Sequence, residues 1–122
     1  MSSEYISKSE ILHLIHLIGD VSGTLFLQGL SVNCHLNKLH QVLTKVDDYI
    51  ITLRDRFDVI YFDDEDVGQI SRHFEVIHYV LEKVVSTLSD RYHDDGSYFR
   101  VVQRANRIRK RWCKVAGYPS YL

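Results

Sequence analysis

Apolar residues recur alternately three and four apart in four successive blocks, and this constrains the chain more than any other feature. The second block reads Leu36, Leu39, Leu43, Val46, Ile50, Leu53 and Phe57, and the third Val67, Ile70, Phe74, Ile77, Leu81, Val84 and Leu88. The fourth reads Tyr98, Val101, Ala105, Ile108, Trp112 and Val115, and the first Ile11, Leu14, Ile18, Val21 and Leu25. Side chains at this spacing share one face of an α-helix. The period-two alternation of strands is absent. The fold expected is therefore all-α.

Local punctuation places helices over Lys8 to Gln28, Asn33 to Phe57, Asp66 to Arg91 and Ser97 to Ala116. Ser7 with Glu10 has the spacing of a capping box, and Asn33 and Ser97 are side chains suited to capping the second and fourth helices. The acids Asp63 to Asp66 suit a helix N-terminus, and Arg109, Lys110, Arg111 and Lys114 suit a C-terminus. Gly117 and Pro119 end the last helix. Connections of about four to eight residues turn consecutive helices back on one another, giving an antiparallel up-down-up-down four-helix bundle. The 122 residues form one domain, with 1–6 and 118–122 as loose ends. A chain this long buries about two-thirds of its surface without metal or disulfide. Cys34 and Cys113 fall at opposite ends of such a bundle, so no disulfide is expected between them.

The formal net charge of −1 conceals a strong asymmetry. Residues 1–95 carry eight Lys and Arg against all sixteen Asp and Glu, a balance of −8, whereas 96–122 carry seven basic residues and no acid, a balance of +7. Within that basic segment Arg100, Arg104, Arg107, Arg111 and Lys114 form one helical stripe, about 21 Å long at 1.5 Å per residue. The stripe suits an acidic protein surface or a phosphate backbone, unless it is consumed by internal pairing with acids such as Glu75, Glu82 and Asp90. It carries no aromatic residue for stacking on bases. An acidic counterpart consists of Asp58, Asp63, Asp64, Glu65 and Asp66, with Tyr61 and Phe62 beside it as aromatic anchors of the kind found in inhibitors of basic proteins. Both charge clusters fall at the same end of the bundle, so mutual complementation is the competing reading.

The first helix is apolar nearly all round. Only His13, His16, Asp20 and Thr24 make a polar strip, while Leu12, Leu17 and Leu27 lie outside the seam and point to self-association or a partner groove. His13, His16 and Asp20 are also a weak metal-ligand set. His16 with Gly19 and Gly23 loosely resembles the exposed histidine of a histidine phosphotransfer bundle, but the lysine expected three positions on is missing, and Asp20 would repel a phosphoryl group. No nucleophile elbow, Gly-rich phosphate loop or zinc-spaced cysteine pair is present.

The reading that follows is a small, non-enzymatic, cytoplasmic interaction module without cofactor, such as an immunity protein, adaptor or regulatory subunit. Its partner is a protein or a second copy of itself, docked through the first helix and steered by the charge clusters. The alternative is nucleic-acid binding along the fourth helix, and the third reading is a metal or phosphotransfer site on the first. No membrane-spanning run is expected.

Overall fold

A computed structural model describes residues 8–31, 35–56 and 63–117, and the described residues of each of the four periodic blocks lie on an α-helix, except Tyr98, which ends a 3₁₀ turn. The helices are α1 (Lys8–Leu30), α2 (Leu36–Arg56), α3 (Asp64–Tyr92) and α4 (Phe99–Ala116), with a 3₁₀ turn at Gly96–Tyr98; among the described residues there is no strand. The expected caps at Ser7 and Asn33, together with Cys34, Phe57, Asp58, Tyr61 and Phe62, lie outside the described residues.

Asp63 starts α3. Its carboxylate accepts the Asp66 amide at 2.8 Å, satisfying one of the orphan donors of the first turn, and that bond holds the Asp63 carboxyl below the ordinary carboxylate range. Gly117 ends α4 at φ 81°, where its amide donates to the Cys113 carbonyl. The start of α4 differs from expectation. Ser97 is not its cap: the carboxylate of Asp95 accepts the Ser97 amide at 2.9 Å and caps the 3₁₀ turn, and α4 begins at Phe99 after Tyr98, which makes no side-chain capping bond. A competing acceptor two residues upstream shifts the boundary.

The seams of α2, α3 and α4 form the core, with Leu39, Leu43, Val46, Ile50, Leu53, Ile70, Phe74, Ile77, Leu81, Val84, Leu88, Val101, Ala105, Ile108 and Trp112 all buried. Val67, at the start of the third seam, is 38% exposed. The α1 seam needs correction. Ile11, Ile15, Ile18, Ser22, Leu25 and Gly29 are buried, whereas Val21 is only partly so. Small residues therefore occupy two places where a large apolar side chain would ordinarily sit, and Gly29 allows α1 to approach α3. A Cβ at Gly29 would lie 3.1 Å from Leu88 Cδ2.

Four helix pairs pack: α1 with α2, α1 with α3, α2 with α4 and α3 with α4. The helices thus form a ring in the order α1, α2, α4, α3, and α2 lies diagonally across from α3 although it precedes it in sequence. Lys8 pairs with Asp66, the His16 and His73 rings meet edge to face at 4.5 Å, and Arg91 donates to the Gly29 carbonyl, so α1 and α3 run the same way. Neighbours in this bundle are therefore not all antiparallel. Phe74 meets Trp112, and Tyr92 stacks on Tyr98, so α3 and α4 run oppositely.

By length and composition α1 is long and apolar enough to cross a membrane, contrary to the expectation that no such segment exists. The composition has a second explanation within the bundle, because α1 packs on both α2 and α3 and half-buries Leu12, Val21 and Phe26 against the core.

His73, between α1 and α3, makes the first prediction. Burial, and secondarily the charge of His16, depresses its pKa. The unfolded chain then takes up a proton near its ordinary value of about 6.5, before the folded state does, so stability is present above that pH and declines as pH falls through it toward the depressed folded value. Urea unfolding at about pH 5 and pH 7.5 should show this loss, and the variant His73→Gln should have a flatter profile. An unchanged pH dependence in the variant would assign the effect to another group.

Candidate functional site

On α4 the seam residues Val101, Ala105, Ile108 and Trp112 face the core. The residues one position before them face α2, and those one position after face α3. This rule places Arg100, Arg104, Arg107 and Arg111 on one flank and Arg109 on the other, while Lys110 and Lys114, two positions either side of Trp112, point away from the core.

On the α3 side, Arg109 is 5% exposed. Its Nη1 donates to Glu82 Oε1 at 3.1 Å, and its Nε and Nη2 donate to Asn106 Oδ1 at 3.1 and 2.9 Å. Cys113 lies on the same flank, 3.8 Å from Nδ1 of His78, whose Nε2 is 3.6 Å from Glu82 Oε1. Thiol, imidazole and carboxylate thus lie in succession, but the thiol is fully buried and burial pushes its pKa up, with Arg109 opposing. A protonated, enclosed thiol is a packing group rather than a nucleophile.

On the α2 side, Arg104 is held by three bonds: Nη1 to the His40 carbonyl and to His40 Nδ1, both at 3.1 Å, and Nη2 to Thr44 Oγ1 at 2.7 Å. Arg111 pairs with Asp47. These contacts also show that α2 and α4 run in the same direction, which brings their C-terminal ends together. There Arg54, Arg107, Lys110, Arg111, Lys114 and Val115 line an open cleft of about 770 Å³. Five of these six residues are cations and none is an acid. Arg54 has an exposed ion pair with Asp55 at 3.0 Å and Arg111 has Asp47, while Arg107, Lys110 and Lys114 make no ion pair among the described residues.

The predicted stripe is therefore brought together only in part. Arg104 is spent on α2, Arg107, Arg111 and Lys114 reach the cleft, and Arg100 lies upstream of it, exposed. Of the acids on α3 offered as internal partners, Glu82 alone is used, and by Arg109 rather than by the stripe. Sequence reasoning missed Arg54 and Lys110 as lining residues and Arg109 as a buried ion.

The acidic run is likewise divided. Asp63 caps α3 and Asp66 pairs with Lys8, leaving Asp64 and Glu65 exposed, and Asp58, Tyr61 and Phe62 fall outside the described residues. The start of α3 and the end of α4 do share one end of the bundle, since Val67, Ile70 and Phe74 line a hollow with Lys114 to Gly117. No ion pair joins the two charge clusters among the described residues.

Compared with known proteins, the chain matches no family model, no curated protein and no solved structure. The site must be judged on its own chemistry. On α1, Leu12 and Leu17 are half-buried, while Leu27 is 68% exposed and the neighbouring Leu30 50%. His13, His16 and Asp20 do not assemble into a metal site: His16 turns to His73, and among the described residues no three His, Cys, Asp or Glu side chains converge.

Proposed function

We propose that the chain is a small, cytoplasmic, non-enzymatic interaction module, an up-down-up-down four-helix bundle without cofactor, that receives an acidic partner protein in the basic cleft between α2 and α4. The observation that carries this reading is the convergence of five cations from two helices on one cleft lined, among the described residues, by no acid. Arg107 with Lys110 and Arg111, and Lys114 with Lys110 and Arg111, are like charges at three or four residues' spacing, each pair costing the isolated helix about 0.2–0.5 kcal/mol. The negative end of the α4 dipole offsets part of that cost. An accumulation of repulsive pairs is tolerated where a ligand returns the energy on binding. Long-range attraction would steer the encounter. The exposed Leu27 and Leu30 give α1 a small apolar surface for a second contact or for self-association, and Asp64 and Glu65 remain as the steering acids of the opposite sign.

Nucleic-acid binding along α4 is the weaker reading. With Arg104 committed to α2, the unbroken run from Arg107 to Lys114 spans about 10 Å at 1.5 Å per residue, half the length of the full stripe. Such a run neutralises few phosphates, and backbone binding draws its strength from many.

Titration of the labelled protein with an oligoglutamate peptide, followed by amide chemical shifts, tests the proposal. Shifts should concentrate at the C-terminal ends of α2 and α4 and fade as salt rises. Shifts that persist in the triple variant Arg107→Gln, Lys110→Gln, Lys114→Gln, or no shifts at low salt, would refute it. Stronger binding of a duplex oligonucleotide than of the peptide would favour nucleic acid instead.

A further inference from the structure

We infer that the α2/α4 cleft recognises clustered phosphoryl groups, two or more held close together, in preference to carboxylates; this rests on the reading of the cleft as a recognition site. Charge density is the first argument. Among the described residues Asp47 and Asp55 answer two of the five cations, leaving an excess of three positive charges on Arg107, Lys110 and Lys114 within two turns of α4. A phosphate monoester carries about −1.5 to −2 at neutral pH, so two adjacent phosphoryl groups match that excess in one small volume. Carboxylates would have to supply three separate side chains, and along an extended segment alternate side chains point away from the cleft.

Donor geometry is the second argument. Arg54 comes from α2 and Arg107 and Arg111 from α4, so planar guanidinium forks from two helices meet at the cleft, with Lys110 and Lys114 beside them as mobile point charges. Guanidinium forks match phosphate oxygens two at a time, whereas ammonium groups follow charge without fixed geometry. Asp47 holds Arg111 in place, which fixes one fork before any ligand arrives. The Arg54–Asp55 pair is exposed on both sides, at 52% and 59%, and gives up little when Arg54 turns to a ligand.

Size is the third. A cleft of about 770 Å³ has the volume of a small-ligand site and exceeds what one phosphate fills. Among the described residues its only apolar lining residue is Val115 and none is aromatic, so the groups recognised are the phosphates rather than an attached base.

The chemistry has two sources, a doubly phosphorylated segment of a partner protein or a free polyphosphate, and calorimetric titration of the full chain separates them. The probes are inorganic triphosphate, a peptide with two neighbouring phosphoserines, the same peptide with both replaced by glutamate, and sulfate at matched ionic strength. We expect triphosphate, the phosphopeptide or both to bind at least about tenfold more tightly than the glutamate peptide and sulfate, through charge-assisted bidentate bonds. The phosphopeptide binding more tightly than triphosphate would assign a protein partner, and the reverse order a free polyphosphate. The double variant Arg107→Gln, Lys110→Gln should lose this binding by at least about tenfold while keeping its melting temperature, because Arg107 is exposed, Lys110 is only half-buried and neither makes an ion pair among the described residues. Equal affinity for phospho- and glutamate peptides would overturn the inference and leave the acidic-partner reading standing. Absence of binding by every probe would overturn both, and phosphate binding unchanged in the double variant would overturn the inference by placing the ligand elsewhere.

Discussion

Replacing Trp112 with alanine is expected to remove about 3–5 kcal/mol of stability, the largest single effect in the molecule. Trp112 is fully buried near the C-terminal end of the α4 seam and meets Phe74 of α3 edge to face, with ring centroids 4.9 Å apart and planes at 80°. Alanine there loses the transfer energy of an indole, the aromatic contact and the packing of whatever cannot collapse into the space. The indole Nε1–H, however, has no hydrogen-bond partner among the described residues although it is buried. A donor desolvated without compensation costs about 1–3 kcal/mol, so a ring without that donor recovers part of what the smaller volume loses. The variant Trp112→Phe should therefore cost less than half as much as Trp112→Ala in urea unfolding. Equal losses for the two would mean that Nε1 is satisfied, by water for example, and that the indole is there for its hydrogen bond.

Trp112 also illustrates what the sequence makes legible. Its place on an unbroken seam identifies it as core, as it does Leu81 and Ile50, because a periodic apolar face leaves a helix one way to hide. The failures occur where small or polar residues stand on the seam. Gly29 is buried where α1 approaches α3 closely, a property of the pair of helices that no single-helix pattern records, and on the same helix Ser22 is buried while Val21 is only partly so. The fate of the α4 cations was hidden for a related reason. Periodicity shows that Arg104, Arg107 and Arg111 share a flank, but not that α2 rather than α3 lies against it. Once α2 sits diagonally from α3, that flank meets Asp47, His40 and Thr44, and the acids of α3 are left to the other side. A signal for Arg109 was present: it is the one charge on a flank otherwise made of Val102, Asn106 and Cys113, and an isolated charge among such neighbours is a buried-ion pattern.

That buried ion supports the second large effect, an asymmetry between the two ends of one ion pair. Glu82 is 48% exposed at its side chain and Arg109 only 6%. Glu82→Ala leaves the guanidinium in the interior with Asn106 as its sole hydrogen-bonding partner among the described residues, and stranding a buried charge in this way is expected to cost about 1–3 kcal/mol. Arg109→Met keeps most of the buried stem volume and removes the charge, while the exposed carboxylate of Glu82 is rehydrated and retains His78 3.6 Å away. Its cost should be below about 1 kcal/mol. Combining Glu82→Ala with Arg109→Met should then restore most of what Glu82→Ala alone loses, since no charge remains to be stranded. Strict additivity in the double variant would show that the pair contributes through packing and not through charge. Together with the cleft variant, these substitutions divide α4 by function: Arg109→Met should leave anion binding at the α2/α4 cleft intact, because its guanidinium faces α3, whereas neutralising Arg107 and Lys110 should weaken binding at least about tenfold at no cost in stability. One helix would thereby be shown to spend its cations on two separable tasks, holding α3 on one flank and meeting a ligand on the other.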